Sequence, residues 1–354
     1  MKSVSDPSAP RIPVWVVTGF LGAGKTTLLR HLACAEPLRR IAVIENEFGE
    51  TGVDGTLLAG AVERVVELTG GCVCCTVRQD LIEALELILD GDDDPFDAII
   101  IETTGLAEPA PVLRIFEQPQ LSQRLTLSGV VTVIDGVHFE RSLSETSTSL
   151  EQVVYADLVL LNKIDLVSEN RRAEVRETLA QINPLAAVIE TRAAQVRAER
   201  IWELKRLDEA AHPRQAGQGQ SGAAQGHSHD HHAETQHDHQ RDHGHQHDQD
   251  VNSVALEILG DIDVGLLDQW LGELMRSTTS TLLRVKGVLA VPGYAERFVF
   301  QAVRDVVELE PGAAWRGEAR RCRLVLIGRG LDRQQLQRRF RACSSRSLKE
   351  APSR

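Results

Sequence analysis

The chain has 354 residues, of which 42% are hydrophobic and only 4% aromatic, and its formal net charge is -12. That length allows two domains on a prior of roughly 100–200 residues each, and the negative balance argues against nucleic acid or an anionic membrane as the main partner. No apolar run approaches the roughly 20 residues of a membrane span, and polar Met1–Pro10 lacks the apolar core of a signal peptide. Residues 1–11 therefore read as a disordered lead-in to a cytoplasmic protein.

Apolar runs of strand type then alternate with helical patterns. Val14–Thr18 predicts a strand, Lys25–Ala35 a helix and Ile41–Glu45 a strand; Val62–Leu68 is a strand of β-branched residues, and Val77–Leu89 carries Leu81, Leu85, Ile88 and Leu89 at helical spacing. Ala98–Ile101, Gly129–Ile134, Leu158–Leu161 and Ala187–Ile189 add short buried strands. Alternation of this kind predicts right-handed crossovers and a doubly wound, mainly parallel sheet over residues 12–211, with ligand loops at the carboxyl ends of the strands. Residues 212–250 are Gln, Gly, Asp and His with almost nothing apolar and cannot bury enough surface to fold. Strands at Val254–Leu259, Leu282–Val291, Phe298–Val303, Val306–Leu309 and Arg323–Ile327, with helices at Val264–Met275 and Leu331–Phe340, make residues 251–345 a smaller α+β domain.

The strongest local signal is Gly19-Phe-Leu-Gly22-Ala-Gly24-Lys25-Thr26-Thr27, a Walker A pattern with a strand before it and a helix after it. A plain Gly-rich turn is the alternative, and it would not need those flanks. In the phosphate reading the glycines let backbone N–H groups wrap an anion, Lys25 reaches the β- and γ-phosphates, and Thr26 ligates Mg²⁺. Asn162-Lys163-Ile-Asp165 follows the strand Leu158–Leu161. Guanine offers N1–H and N2–H₂ side by side, and the Asp165 carboxylate can accept both; adenine has no such pair. Asn162 and the Lys163 stem would hold that loop and cover the ring, so the nucleotide expected is GTP. A helix N-cap by Asp165 is the competing reading. Ile99–Glu102 with Thr103-Thr104-Gly105 takes the place of a Walker B strand and its γ-phosphate loop. There Glu102 ligates Mg²⁺ or accepts from its waters, and the Gly105 N–H meets the γ-phosphate. No catalytic Gln or arginine finger is legible, so slow intrinsic hydrolysis, suited to a switch, is expected.

Three of the six cysteines, Cys72, Cys74 and Cys75, fall within four residues, which suits metal or redox chemistry better than a disulfide framework. They sit between a strand and a helix N-terminus, whose partial positive charge favours thiolate. Soft thiolates suit Zn²⁺, and also Co²⁺ or Cu(I). A redox pair and a buried apolar cluster are the alternatives. Cys34, Cys322 and Cys343 read as isolated small residues. Between residues 227 and 247 the segment 212–250 carries nine histidines: His227, His229, His231, His232, His237, His239, His243, His245 and His247. Imidazole at that density binds transition metals loosely and collectively, which makes the segment a metal-collecting tether or, alternatively, the working part of a metal buffer.

Taken in order, Gly-Phe-Leu-Gly-Ala-Gly-Lys-Thr-Thr, Glu45-Asn-Glu-Phe-Gly49-Glu, Gly-Gly-Cys-Val-Cys-Cys, Glu-Thr-Thr-Gly-Leu-Ala-Glu-Pro109 and Asn-Lys-Ile-Asp resemble the CobW-type GTPases, relatives of the urease and hydrogenase nickel GTPases. The stretches Leu283-Arg-Val-Lys-Gly287-Val-Leu and Arg323-Leu-Val-Leu-Ile-Gly328-Arg-Gly-Leu-Asp332, with Trp315, resemble that family's second domain. The resemblance implies a GTP-dependent metallochaperone that delivers metal to a client metalloprotein, as a monomer or a nucleotide- or metal-dependent dimer. It also places Glu47 in the first switch region as a further metal-ligand candidate. Zinc supply, cobalt for cobalamin and activation of metalloenzymes all occur in the family, and the histidine segment favours zinc here.

Overall fold

The structure is a computed structural model and describes residues 11–36, 39–45, 64–67, 74–91, 96–204, 251–277, 281–303 and 306–345, without the side chains of 64–67, 74–77 and 306. The first part is a seven-stranded sheet, β1 (Ile12–Thr18), β2 (Ile41–Glu45), β3 (Arg64–Glu67), β4 (Ala98–Glu102), β5 (Leu125–Asp135), β6 (Leu158–Asn162) and β7 (Ala187–Glu190), in the order β3-β2-β4-β1-β5-β6-β7. Every pairing in it is parallel. Its helices are α1 (Lys25–Ala35), α2 (Cys74–Leu89), the short α3 (Pro109–Leu113) and α4 (Pro119–Ser122), α5 (Phe139–Glu145), α6 (Ser147–Tyr155), α7 (Glu169–Ile182) and α8 (Glu199–Trp202). Among the described residues no helix is long and apolar enough to cross a membrane.

The period of two in β1 sorts its side chains between two cores. Val14 and Val16 join Leu81 and Leu85 of α2 on one face. Trp15 and Val17 join Leu28, Leu29 and Leu32 of α1 on the other. Burial on both faces is why these strands read as continuous apolar runs. The chain leaves β1 toward β2 on one side and later crosses from β4 to β5 on the other, so the carboxyl end of β1 is the point where the winding reverses, the usual ligand crevice of such sheets.

The second part is an antiparallel sheet, β8 (Val251–Leu259), β9 (Thr281–Ala290), β10 (Glu296–Val303), β11 (Val306–Ala314) and β12 (Arg321–Arg329), in the order β11-β10-β9-β12-β8. Helices α9 (Val264–Met275) and α10 (Arg333–Ala342) cover one face, with Leu267, Trp270, Leu271, Leu336 and Phe340 in its core. Asp263 and Asp332 cap these helices by accepting from the N–H groups of Leu266 and of Gln334 and Gln335. The other face meets the first sheet's layer: Leu283 and Ile327 pack on Val154 of α6. Beside them Arg284 donates to the Tyr155 carbonyl, and Arg284 and Lys286 (2.8 Å) both donate to Asp157. Burial opposes charge at Asp157, but the two cations hold its carboxyl well below the ordinary range.

Several boundaries differ from the sequence reading. The helix expected from Val77 starts at Cys74, the strand expected at Val62–Leu68 is Arg64–Glu67, and β5 begins four residues earlier than Gly129 because it pairs along the whole of β1. The last helix starts at Arg333 rather than Leu331, since Asp332 is its cap. β11 runs on past Leu309 through Pro311, with a register shift against β10 between Glu296 and Phe298. Helices α3 to α8 carry too little periodic apolar pattern to be read; α7 buries only Val175 and Leu179. Met1–Pro10 and residues 205–250, with every tether histidine, lie outside the described residues.

Asn183, buried after α7, donates to the carbonyls of Val153 (2.8 Å), Val154 (3.1 Å) and Ala156 (2.9 Å) and closes the end of α6. Removing it strands buried acceptors, so Asn183→Ala is expected to lower stability by roughly 2–4 kcal/mol, read as an earlier urea midpoint.

Candidate functional site

The loops after β1, β4, β5 and β6 converge on the carboxyl edge of the first sheet. Gly24 is the left-handed N-cap of α1, with φ 112° and no side-chain cap, so the first amides of the helix are left for an anion. A Cβ there would lie 2.6 Å from Nδ2 of Asn162. Lys25, the first residue of α1, is buried and donates to the Gly19 carbonyl at 3.0 Å across the P-loop. Gly19 and Gly22 also have positive φ. Thr26 is half-buried and Thr27 exposed in the same turn.

The Glu102–Gly105 segment lies against this loop. Thr103 is anchored twice to the end of β1, through its N–H to the Val17 carbonyl (2.9 Å) and its hydroxyl to that of Thr18 (2.9 Å). A Cβ on Gly105 would come within 2.5 Å of the Leu21 nitrogen, so only glycine permits this approach. Glu102 is half-buried at the end of β4, in register with Glu45 of β2. Among the described residues the hydroxyl of Thr104 is buried without a hydrogen-bond partner. Hydroxyl and carboxylate oxygens such as those of Thr104 and Glu102 are hard ligands, which suit Mg²⁺ better than a soft metal.

Asn162, at the end of β6, does more than stiffen its own loop. Its Nδ2 donates to the Ala23 carbonyl of the P-loop at 2.9 Å, and its Oδ1 accepts from the Ala194 N–H at 2.8 Å and the Thr191 hydroxyl at 3.2 Å. Lys163 takes φ 60° and donates to Asp135 of β5 at 2.8 Å. Burial works against the charge on Asp135, yet hydrogen bonds from His138 and Lys163 bring its pKa down. Asp165 is exposed in the 3₁₀ turn Ile164–Leu166 and caps no helix, because Ser168 caps α7. That removes the capping alternative.

The sequence reading missed the Thr191–Ala194 loop and Asp135. Ala193 and Ala194 take φ 47° and 53°, a conformation usually signalled by glycine, and here no glycine marks it. β3, the strand that precedes the thiol segment in the chain, ends at Glu67 in register with Glu45, on the same edge as the P-loop. Cys74 and Cys75 open α2, three residues earlier than expected; Cys72 and Glu47 lie outside the described residues. Among the described residues no group of three His, Cys, Asp or Glu side chains could hold a metal. Cys322 and Cys343 are buried and Cys34 exposed, and burial pushes the Cys322 thiol up to about 11.

Comparison with known proteins decides the lineage. The family model for the CobW/HypB/UreG nucleotide-binding domain matches residues 13–190, and that for the cobalamin synthesis protein CobW C-terminal domain matches residues 251–344. The chain belongs to the CobW family. It is 31% identical to the zinc chaperone YjiA of Escherichia coli K12 over 93% of this chain and 98% of that protein. It is 35% identical to the zinc chaperone CobW of Pseudomonas aeruginosa over 94% of this chain and 91% of that protein. The crystal structure of the Zn(II)-bound YjiA GTPase from E. coli superposes with a TM-score of 0.66 at 26% identity, covering 95% of this chain and all of that one. In this CobW-family chain the P-loop depends on the space left by Gly24. Gly24→Ala forces the Asn162 amide aside in a strained backbone, and GTP affinity should fall by about 10- to 100-fold in a fluorescent-nucleotide titration.

Proposed function

We propose that this protein is a GTP-hydrolysing zinc chaperone, in which nucleotide state controls a thiolate site that loads zinc into a client metalloprotein. Near-full-length similarity to two zinc chaperones carries the reading. It is supported by a phosphate loop and a base loop joined through Asn162, on the edge where β3, the strand before Cys72–Cys75 in the chain, ends.

In this reading GTP lies along the carboxyl edge. The P-loop amides and the N-terminus of α1 take its phosphates, Lys25 turns from the Gly19 carbonyl to the β- and γ-oxygens, and Asp165 accepts from guanine N1–H and N2–H₂. The Thr191–Ala194 backbone, held by Asn162, closes the far side of the base. Thr26 and Glu102 would hold Mg²⁺, which supplies charge neutralisation on the β- and γ-phosphates. Hydrolysis adds water to the γ-phosphorus and breaks its bond to the β-bridging oxygen, giving GDP and phosphate. Gly105 gives its N–H to the γ-phosphate and follows it when it leaves. Preorganised donors on the P-loop stabilise the charge that builds on the leaving oxygen. Cys72, Cys74 and Cys75 bind zinc as cargo, leaving a coordination position for an incoming ligand of the client. The tether histidines collect zinc loosely and pass it to the thiolates.

Base selection is tested by exchanging the carboxylate. An Asn at 165 keeps one acceptor and gains a donor that matches the C2 carbonyl of xanthine, so Asp165→Asn should bind GTP roughly 100-fold more weakly and xanthosine triphosphate better. Unchanged GTP affinity would remove Asp165 from the base site.

Zinc titration against a competing chelator, with a GTP analogue plus Mg²⁺, with GDP and without nucleotide, tests the coupling. One tight site is expected that strengthens with the GTP analogue, survives deletion of residues 212–250, and weakens by about 100-fold in Cys72→Ser. Its affinity should fall steadily between about pH 8 and pH 5.5, because each thiol must lose its proton to bind. Zinc affinity indifferent to nucleotide would end the switch reading, and loss of all tight binding with the tether would leave a histidine buffer.

A further inference from the structure

Gln152 of α6 is 1% exposed. Its amide Nε2 donates to two carbonyls of the loop after β4, those of Gly105 (3.2 Å) and Ala107 (3.3 Å). Both of its N–H groups are thus spent on the loop that carries Gly105. Its own backbone carbonyl accepts from the Thr132 hydroxyl of β5 at 2.7 Å, and Thr132 is in register with Thr18, the residue whose hydroxyl receives Thr103. The loop, the end of β1 and α6 therefore form one hydrogen-bonded unit.

The same helix ends against the second domain. Val154, two residues on, packs with Leu283 and Ile327, and Arg284 reaches the Tyr155 carbonyl. Just past the helix, Asp157 takes Arg284 and Lys286 on Oδ1, while its Oδ2 accepts from the Val130 N–H at 2.8 Å. Arg284 and Lys286 are both buried. From Gln152 to Tyr155 is less than one helical turn, about 4.5 Å along the axis.

A buried side-chain amide cannot part from two carbonyls without stranding all three groups. A displacement of Gly105 toward or away from a γ-phosphate must therefore either carry α6 with it or break these bonds. Asn183 ties the carbonyls of Val153, Val154 and Ala156 at the end of α6 that meets the second domain, so a displacement carried by α6 would reach the strand β9 that bears Arg284 and Lys286.

We propose that Gln152 is a positioning residue that holds the Gly105 loop and, through α6, ties its nucleotide-dependent position to the Asp157–Arg284–Lys286 contact with the second domain. This rests on the reading of the Gly105 loop as the γ-phosphate contact. Reciprocity then requires that disturbing the contact at Asp157 change the preference for GTP over GDP, although Asp157 touches neither nucleotide.

The test uses the full-length protein in wild-type, Gln152→Met, Asp157→Asn and doubly substituted forms. Met keeps the length and burial of Gln152 and removes both donors. Hydrogen exchange of residues 281–290 is followed with a non-hydrolysable GTP analogue and with GDP, alongside the affinity for each nucleotide. In the wild-type protein, exchange of this strand should differ between the two nucleotides. In Gln152→Met that difference should vanish and the GTP-to-GDP affinity ratio should shift by roughly fivefold or more, while GDP affinity stays within about twofold and reports an intact fold. Asp157→Asn should shift the same ratio, and the double substitution should shift it no further than one alone. A nucleotide-dependent difference that survives Gln152→Met, or additive effects in the double form, would overturn the proposal while leaving a GTP switch in place. Exchange of 281–290 that ignores nucleotide in a wild-type protein that binds and hydrolyses GTP would overturn it as well. Failure of the wild-type protein to bind GTP would overturn both this inference and the function on which it rests.

Discussion

One buried amide, that of Asn162, reaches a loop 139 residues before it in the chain and another 32 residues after it. Its two ends face different partners: the nitrogen holds the P-loop at Ala23, and the oxygen holds Thr191 and Ala194. Gly24 leaves the room that the amide occupies, and two alanines in the left-handed region stay there because their backbone is pinned. In the proposed reading, phosphate recognition and base recognition therefore share one hinge point, a hydrogen-bonding side chain that links the two loops.

The parallel sheet gives that amide its frame. β1 and β6 lie on either side of β5, and their carboxyl ends present the P-loop and Asn162 across a gap of one strand. Because both faces of the sheet are buried, the frame is rigid where the site needs it, while the loops that meet a nucleotide stand at the edge. The second domain is built the other way, with one face under α9 and α10 and the other against the end of α6. The face against α6 combines apolar Leu283 and Ile327 with the buried charges of Arg284 and Lys286, which suits a contact that has to be specific.

Much of this was legible in the residues. Strands buried on both faces announce themselves by apolar runs, and α1 and α9 were read to the residue because the P-loop and the cap Asp263 mark their starts. The P-loop and the Asn-Lys-x-Asp sequence are local motifs whose chemistry follows from composition and order. What escaped was non-local or weakly patterned. Gln152 looks like any helical glutamine, and only the fold brings it to Gly105. Thr191–Ala194 carries no glycine to betray its backbone. The start of α2 was misjudged because Cys74 and Cys75 read as ligands in a loop, whereas they open a helix. The strand expected to stop at Leu309 continues through Pro311 to Ala314.

That last feature bears on how the protein keeps from clumping. β11 is the outer strand of the second sheet, and an outer strand offers unpaired backbone groups to any other chain that can lie beside it. Here the strand carries Glu308 and Glu310, then Pro311, which has no N–H to offer, and its register against β10 slips at that point. Charge, a missing donor and a local irregularity all oppose growth of the sheet in that direction. A second copy of the molecule meets a rim that cannot be zipped, so the exposed Val307 and Leu309 can remain on the surface without seeding aggregation.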